Sequence, residues 1–330
     1  MRRIWGSYAA LLIYRKEAMK YLTSSSLSKF RTCPRVYFYA YELKRVPLVT
    51  SDALSFGTAW HTAMEAWWND ARLRPDQDNA AHTVIAAEKM REIADQIKPE
   101  HAAMIAAMLE HYHPDASRFE VVGVEVPFET PIENPLPGKR KFYNYRLAGK
   151  VDVVLKDCAT GDVWIADHKT TTADIMGFGP YWQALQVDGQ MSNYCLAFGA
   201  RGFVYDVARK PSIKLCGKDE KAGQEAGISP EAAYQIRCAA QIAQSTAEYY
   251  QWREHLKTDE ELMEAKIDLW QQVEMFRACD KDGRWPRNSD ACVNRYGTCP
   301  YVDVCTGRAN LDDDTTFRTK EAVNEELVSE

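Results

Sequence analysis

The chain has 330 residues, 46% of them hydrophobic and 27% charged, enough apolar material for one large domain or two ordinary ones. Its 17 Gly and 14 Pro are too few for a fibrous or disordered chain, and no run of about 18 apolar residues exists, which excludes a hydrophobic membrane-spanning helix. The net charge of −6 is uneven: Asn310 to Glu330 holds seven acids and two bases, so the remainder is close to neutral. A neutral body does not announce nucleic-acid binding, which depends on a local basic groove rather than on the total. Nine cysteines, an odd count, speak against a closed disulfide framework.

Ile4–Tyr14 stands behind Arg2 and Arg3 in the layout of a faint signal peptide, but Arg15, Lys16 and Lys20 follow and no small-residue cleavage site stands out. Residues 1–22 therefore read as an optional leader, with Met19 an alternative start. Thr23–Ser28 is a hydroxyl-rich start signal, and Leu27–Phe30 begins a helical pattern. The aromatics Tyr37, Phe38, Tyr39 and Tyr41 follow. Ser55-Phe56-Gly57 leads into a helix from Thr58 to about Arg72, on which His61 and Glu65 share a face. Ala80–Tyr112 has Met and Leu at helical spacing and is cut in two at Lys98-Pro99-Glu100. Residues 23–115 thus read as a helical subdomain.

The period then changes. Arg118–Phe128 alternates as a strand, and Pro131, Pro135, Pro137 and Gly138 mark a loop. Tyr143–Lys156 and Asp162–Thr170 are Val/Ile-rich strands around a turn at Asp157–Gly161. Pro180 opens a helix that Gly199 or Gly202 closes, and Gly202–Ala208 is a further apolar strand. Residues 116–210 are therefore expected to be an α/β core, a mixed sheet flanked by helices. Arg209–Gly227 reads as a loop or exposed hairpin. Ser229-Pro230-Glu231 starts a long helix to about Lys257, and Thr258 with Glu261 caps another to near Cys279. Residues 211–308 are thus helical and then cysteine-rich, and 309–330 form an acidic tail expected to be disordered.

If the strands flanking Cys158–Gly161 pair antiparallel with Asp157 facing Asp162, Asp152 falls opposite Asp167. Lys169, two residues on, points the same way. Facing carboxylates repel unless something cationic lies between them. Val151, Val153, Val154, Ile165 and Ala166 imply burial, and buried acids beside one lysine require a metal or a shared proton. The plainer alternative pairs one acid with Lys169 and lets the other reach solvent.

The strings Gly149-Lys150-Val151-Asp152-Val153-Val154 and Ile165-Ala166-Asp167-His168-Lys169-Thr170-Thr171 resemble the core of the PD-(D/E)XK nuclease superfamily. They look like its RecB-like branch, with a Gly-x-x-Asp pattern ending at Asp152 and a final Asp-x-Lys-Thr. Gly57-Thr58-Ala59-Trp60-His61 resembles that branch's Gly-x-x-x-His helix, and Gln190-Met191-Ser192-Asn193-Tyr194 its Gln-x-x-x-Tyr motif. The resemblance implies a restriction-endonuclease-like core in which His61, Asp152, Asp167 and the backbone carbonyl of His168 hold Mg²⁺ or Mn²⁺. Lys169 would orient the attacking water or neutralise the transition-state charge, and Gln190 and Tyr194 would project together toward the site. Carboxylates suit hard cations, which polarise a phosphoryl oxygen and acidify a bound water; an imidazole ligand tilts the preference toward Mn²⁺. The His168 imidazole points to the opposite strand face and is given no catalytic part.

Cys158, Cys195, Cys216, Cys238 and Cys279 are scattered and read as buried or neutral thiols. Cys292, Cys299 and Cys305 are clustered, and Cys33 is the obvious fourth partner. Zinc sites expect tighter pairs; an iron–sulfur cluster tolerates wider spacing; unpaired structural thiols are the bland alternative. Here too there is resemblance, to AddB-type and CRISPR-adaptation nucleases, which place one cysteine before the nuclease core and three after it. The six residues between Cys292 and Cys299 depart from the two found in many of those relatives. The resemblance implies a 4Fe–4S cluster on Cys33, Cys292, Cys299 and Cys305, structural rather than redox-active.

The expected activity is that of a cytoplasmic Mg/Mn-dependent deoxyribonuclease. It would be an exonuclease on single-stranded or end-processed DNA in recombination, repair or replication. No phosphate-binding P-loop is present, so a helicase or recombination protein would be a separate partner, and no membrane is involved. The competing readings are a catalytically silent DNA-binding subunit of such a complex and a zinc-stapled adaptor. Arg31, Arg35, Tyr37, Phe38 and Tyr39 either track a single strand or pack as an aromatic core.

Overall fold

The computed structural model describes residues 19–49, 52–136, 141–142, 144–294, 297–324 and 327; the signal-like stretch Ile4–Tyr14 and the leader up to residue 18 lie outside them. In chain order the elements are β1 (Lys20–Leu22), α1 (Ser24–Thr32), α2 (Pro34–Tyr37) running into a π-helical turn at Phe38–Glu42, and β2 (Arg45–Pro47). Three helices follow: α3 (Asp52–Leu73), α4 (Asn79–Glu92) and α5 (Pro99–Leu109). Then come β3 (Phe119–Pro131), β4 (Tyr145–Asp157), β5 (Val163–Thr171), α6 (Pro180–Gln186), α7 (Gly189–Phe198) and β6 (Gly202–Arg209). The chain ends with α8 (Gly217–Ala226), α9 (Pro230–Gln244), β7 (Tyr250–Leu256), α10 (Asp259–Asp282), β8 (Val293–Asn294), β9 (Gly297–Thr298), α11 (Val302–Thr306) and β10 (Phe317–Thr319).

The main sheet runs β1-β4-β5-β6-β7, with β3 beside β4. β4 and β5 are antiparallel, β5 and β6 parallel, β6 and β7 antiparallel, so the sheet is mixed and helices flank it, the α/β class expected. The chain divides into two compact units, Met1–Val49 with Pro127–Lys150 and Asp259–Glu330, and Thr50–Val126 with Val151–Thr258. β3 and β4 each pass from one unit into the other.

In the first unit, Thr23 starts α1 with a reciprocal cap: its hydroxyl accepts the Ser26 N–H at 3.1 Å while Ser26 Oγ accepts the Thr23 N–H at 2.9 Å. Phe30 and Tyr37 pack on Phe276 with ring centres 5.3 and 5.0 Å away, and Tyr37 stacks on Trp285 at 5.3 Å. Tyr37 and Tyr39 are buried, and Phe38 stacks on Trp285 at 5.9 Å. Arg35 Nε donates to the Trp285 carbonyl, and Arg31 to Gln272 Oε1. Of the two readings of these aromatics, core packing is the one observed.

The acidic segment 309–330 is expected to lack order, and residues 325, 326 and 328–330 of it lie outside the described residues. Instead β10 pairs antiparallel with β2, Phe317 is 1% exposed and stacks on Tyr301 at 5.5 Å, and Asp314 meets Arg45 at 2.9 Å. Two buried apolar side chains, Leu311 and Phe317, and one short strand order a segment whose composition is mainly polar.

In the second unit, α3 lays Trp60, Trp67 and Trp68 in one core with Val153, Leu155, Trp164, Ala166, Val204 and Ala208, alternate residues of β4, β5 and β6. The break at Pro99 falls as expected, between α4 and α5. The single helix expected from Pro180 to Gly199 is two, because Asp188 stops the first and caps the second, accepting the Gln190 N–H at 2.9 Å. The helix expected to reach Lys257 ends at Gln244. Tyr250–Leu256 is a strand because the edge of β6 offers its unpaired backbone to a segment that is aromatic-rich and only ambiguously helical. The loop expected over Arg209–Gly227 contains α8.

Candidate metal centre

The strand register is the one the turn demands: Val153 pairs with Ala166, and so on to Lys156 with Val163. Asp152 and Asp167 therefore lie abreast, and Lys169 Nζ sits 2.6 Å from Asp167 Oδ2. Asp152 Oδ2 accepts the His168 N–H at 2.8 Å and lies 3.4 Å from His61 Nδ1, which α3 delivers. A third donor completes this group. Ligand atoms of His61, Glu125 and Asp152 all lie within 4.8 Å of one another, the one such group of three or more among the described residues. Asp167 is turned to Lys169 and stands outside it. Glu65, which shares a helix face with His61, is exposed.

In the sequence, Glu125 lies within an alternating strand pattern and carries no motif. In β3 the alternation slips. Phe119 and Val121 face inward and Glu120 and Val122 outward, whereas beyond Glu125 it is Phe128 and Thr130 that are covered and Pro127 and Glu129 that are exposed. An inserted residue of this kind is a β-bulge, which re-aims a side chain. Glu125 has φ +51°, a conformation that costs a residue with a Cβ roughly 1–2 kcal/mol. A Cβ at Gly123 would come 2.6 Å from Val126 Cγ2, so any larger residue there would force Val126 to shift. A Gly two residues before an acid in an alternating strand was the one available signal.

Burial disfavours ionisation of Asp152, but the charges of His61 and His168 and the His168 N–H outweigh it and hold the carboxyl below the usual range. Burial raises Asp167; Lys169 opposes this, and the Asp152 charge adds to it. Burial alone would lower Lys169, but Asp167 and Asp152 raise it above the ordinary ammonium value. The two carboxyls are thus pushed apart, the pattern by which a site separates roles between like groups.

Behind the strand, His168 Nδ1 lies 2.8 Å from Asp206 Oδ2, which also accepts from the Tyr112 hydroxyl at 2.5 Å; Trp68 Nε1 donates to that hydroxyl at 3.1 Å. The His168 imidazole therefore turns to the opposite face, as expected, and anchors the backbone whose N–H holds Asp152. Gln190 Nε2 donates to the Tyr194 hydroxyl at 2.9 Å. Burial raises the Tyr194 phenol, with the charges of Asp167 and Asp152 adding to it.

The donor set suits a divalent ion: two carboxylates for a hard cation and one imidazole, with a main-chain N–H fixing the orientation of a ligand oxygen. The first unit holds the other cluster. The Asn288 N–H donates to Cys33 Sγ at 3.3 Å, Cys299 N–H to the Cys292 carbonyl at 2.8 Å, and Cys305 Sγ lies 3.9 Å from the Tyr39 hydroxyl. Burial pushes the Cys299 thiol up, and the nearby sulfurs of Cys305, Cys292 and Cys33 add to it. Among the described residues no three of these sulfurs come within 4.8 Å of one another. Of the scattered cysteines, Cys195 and Cys238 are buried, Cys279 is intermediate, and Cys158 and Cys216 are exposed.

The sequence profile of the PD-(D/E)XK nuclease superfamily matches residues 21–306. The chain belongs to this superfamily, whose nucleases use divalent metal ions. No curated protein matches the chain. Among solved structures, one titled "Crystal structure of SSO0001" aligns with a TM-score of 0.33 at 12% identity, over 82% of this chain and 81% of that chain. No helix is long and apolar enough to cross a membrane among the described residues.

Proposed function

We propose that this chain is a Mg²⁺- or Mn²⁺-dependent deoxyribonuclease of the RecB-like branch, an exonuclease acting on single-stranded or end-processed DNA in recombination, repair or replication. The observation that carries this reading is the convergence of His61, Glu125 and Asp152 beside the Lys169–Asp167 pair. A bound divalent ion supplies phosphoryl polarisation and an acidified water. His61, Glu125 and Asp152 would hold it, and Asp167, now paired with Lys169, and the His168 carbonyl would be drawn in to complete the set. Lys169, kept protonated by its two acids, donates to the attacking water or to the developing phosphoryl charge. Gln190 and Tyr194 orient the scissile phosphate. A separate cytoplasmic helicase or recombination protein would present the unpaired strand.

Incubation of end-labelled linear and circular DNA, single- and double-stranded, with Mn²⁺ and Mg²⁺ tests this. Linear single strands should be degraded from an end and circles spared. Lys169→Ala should lose at least about 10²-fold in rate while keeping its melting temperature and its DNA binding. Near-parental cleavage by that variant would remove Lys169 from the mechanism. DNA binding by the parent without any cleavage would favour the silent-subunit reading.

The gathering of Cys33 with the widely spaced Cys292, Cys299 and Cys305 supports a 4Fe–4S cluster that fastens the two ends of the first unit. An N–H already donates to Cys33 Sγ, a contact that iron–sulfur centres use to tune their sulfurs. Iron and sulfide near four per chain are expected, and Cys305→Ser should bleach the visible absorption, whereas Cys158→Ser should not. One zinc per chain would overturn the assignment.

A further inference from the structure

Residues 172–179 link β5 to α6, and the link is pinned from beneath. Ile175 is fully buried. Trp182 Nε1 donates to the Ile175 carbonyl at 2.9 Å. Arg253 Nη2 donates to the carbonyls of Ile175 at 3.1 Å and Gly177 at 2.7 Å, with its guanidinium 3.9 Å from the Trp182 ring centre. Thr171 Oγ1 and Asp174 Oδ1 accept the N–H groups of Ala173 and Met176. Yet Met176 and Phe178, on either side of Gly177 at φ +63°, are 45% and 54% exposed. Two exposed apolar side chains held on a pinned backbone offer a preformed contact to a partner, since little freedom remains to be lost on binding.

The sheet places this loop. Arg253 pairs with Tyr205, which pairs with Asp167; Gln251 pairs with Val207, which pairs with Lys169. Laterally paired residues project from the same face, so the clamp rises from the face that carries Asp167 and Lys169, two strands and roughly 10 Å away. Arg209 pairs with Thr171 and belongs to that face as well. Among the described residues neither Arg209 nor the following Lys210 meets a carboxylate, and Lys210 lies 4.7 Å from the Phe56 ring centre. An apolar, rigid rim and uncompensated cations therefore flank the same catalytic strand.

We propose that residues 172–179 form a stacking platform for the unpaired bases of the strand being cut, Phe178 and Met176 receiving base faces and Arg209 a phosphate. This rests on the nuclease reading for the identity of that strand. Unpaired DNA fits because every exposed base offers a π-face to an aromatic or thioether side chain, and a phosphodiester beside it needs a cation. Bases in a duplex are already stacked and reach Phe178 only at the cost of unstacking.

The test is fluorescence anisotropy of labelled oligothymidylate and of an abasic strand of the same length, in chelator, with the full-length protein. The parent should prefer the strand that has bases. Phe178→Ala should weaken oligothymidylate binding about 5- to 100-fold and abolish the preference, and Phe178→Trp should restore both. Arg209→Ala should weaken both strands alike and reduce the salt slope by roughly one. A Phe178→Ala protein that keeps the parent's discrimination overturns the platform. No cut is needed for this measurement, so a parent that binds but does not cleave refutes the nuclease reading and leaves the platform to stand or fall by itself.

Discussion

Glu125 combines a strained backbone with a carboxylate aimed at His61 and Asp152. Strain of this kind persists where surrounding structure over-determines it, and it concentrates at functional sites. Two substitutions separate the two properties. Glu125→Gln keeps shape and backbone, so stability should change by less than about 0.5 kcal/mol while Mn²⁺ affinity falls at least tenfold. Glu125→Gly removes the carboxylate but frees φ, so stability should hold or rise by up to about 1 kcal/mol with the same loss of metal. Titration calorimetry with Mn²⁺ and urea denaturation give both readings. A Glu125→Gly protein destabilised by 2 kcal/mol or more would make the carboxylate a structural anchor instead.

The helix α8 shows how an element can depend on one tertiary pair. Its sequence is charged and Gly-containing, with little local reason to be helical. Asp219 makes it so: one oxygen accepts the Cys216 N–H at 2.9 Å, and the carboxylate takes Arg237 of α9 at 2.8 Å through Nε and 2.7 Å through Nη2. The Arg237 hydrogen bonds, opposed by burial and joined by the Cys216 N–H, hold this carboxyl below the usual range. A depressed folded pKa contributes stability above the unfolded value of about 3.9, and that contribution is lost as pH falls through the folded one. Asp219→Asn should therefore cost about 2 kcal/mol at pH 7, and the difference from the parent should narrow as pH falls below about 4. Urea midpoints at pH 7, 5, 4 and 3 measure it. A constant difference across that range would show that the charge is not the source.

At the scale of the whole molecule, the acidic segment closes the first unit. Phe317 joins Tyr39, Tyr301 and Leu311 in a small core against which Cys299 and Cys305 pack. The Tyr301 hydroxyl donates to the Arg45 carbonyl at 2.8 Å, so the cysteine segment is tied to β2 from the other side. Phe317→Ala should cost about 3–5 kcal/mol locally. Limited proteolysis should then cut first between Cys299 and Thr319, and any iron should be lost to chelator sooner than from the parent. Unchanged cutting and unchanged retention would mean that the cysteine segment holds itself.

What was legible in the amino-acid order was what neighbours along the chain decide. The turn at Asp157–Gly161 and the period of its two flanking strands dictate the register that sets Asp152 beside Asp167 and points Lys169 the same way. Pro99, Thr23 and Ser229 mark element ends because caps and missing N–H groups act within a few residues. The grouping of Cys292, Cys299 and Cys305 is likewise local. Long-range contacts decided the rest. Tyr250–Leu256 became a strand because the edge of β6 was free, and the acidic segment folded because β2 and Tyr301 were there to receive Phe317. Glu125 turned inward through a bulge that no alternation pattern announces. His168 was oriented from behind by Asp206, a residue of the neighbouring strand. Each of these depends on a partner far away in sequence, and only the packed chain brings that partner within hydrogen-bonding distance.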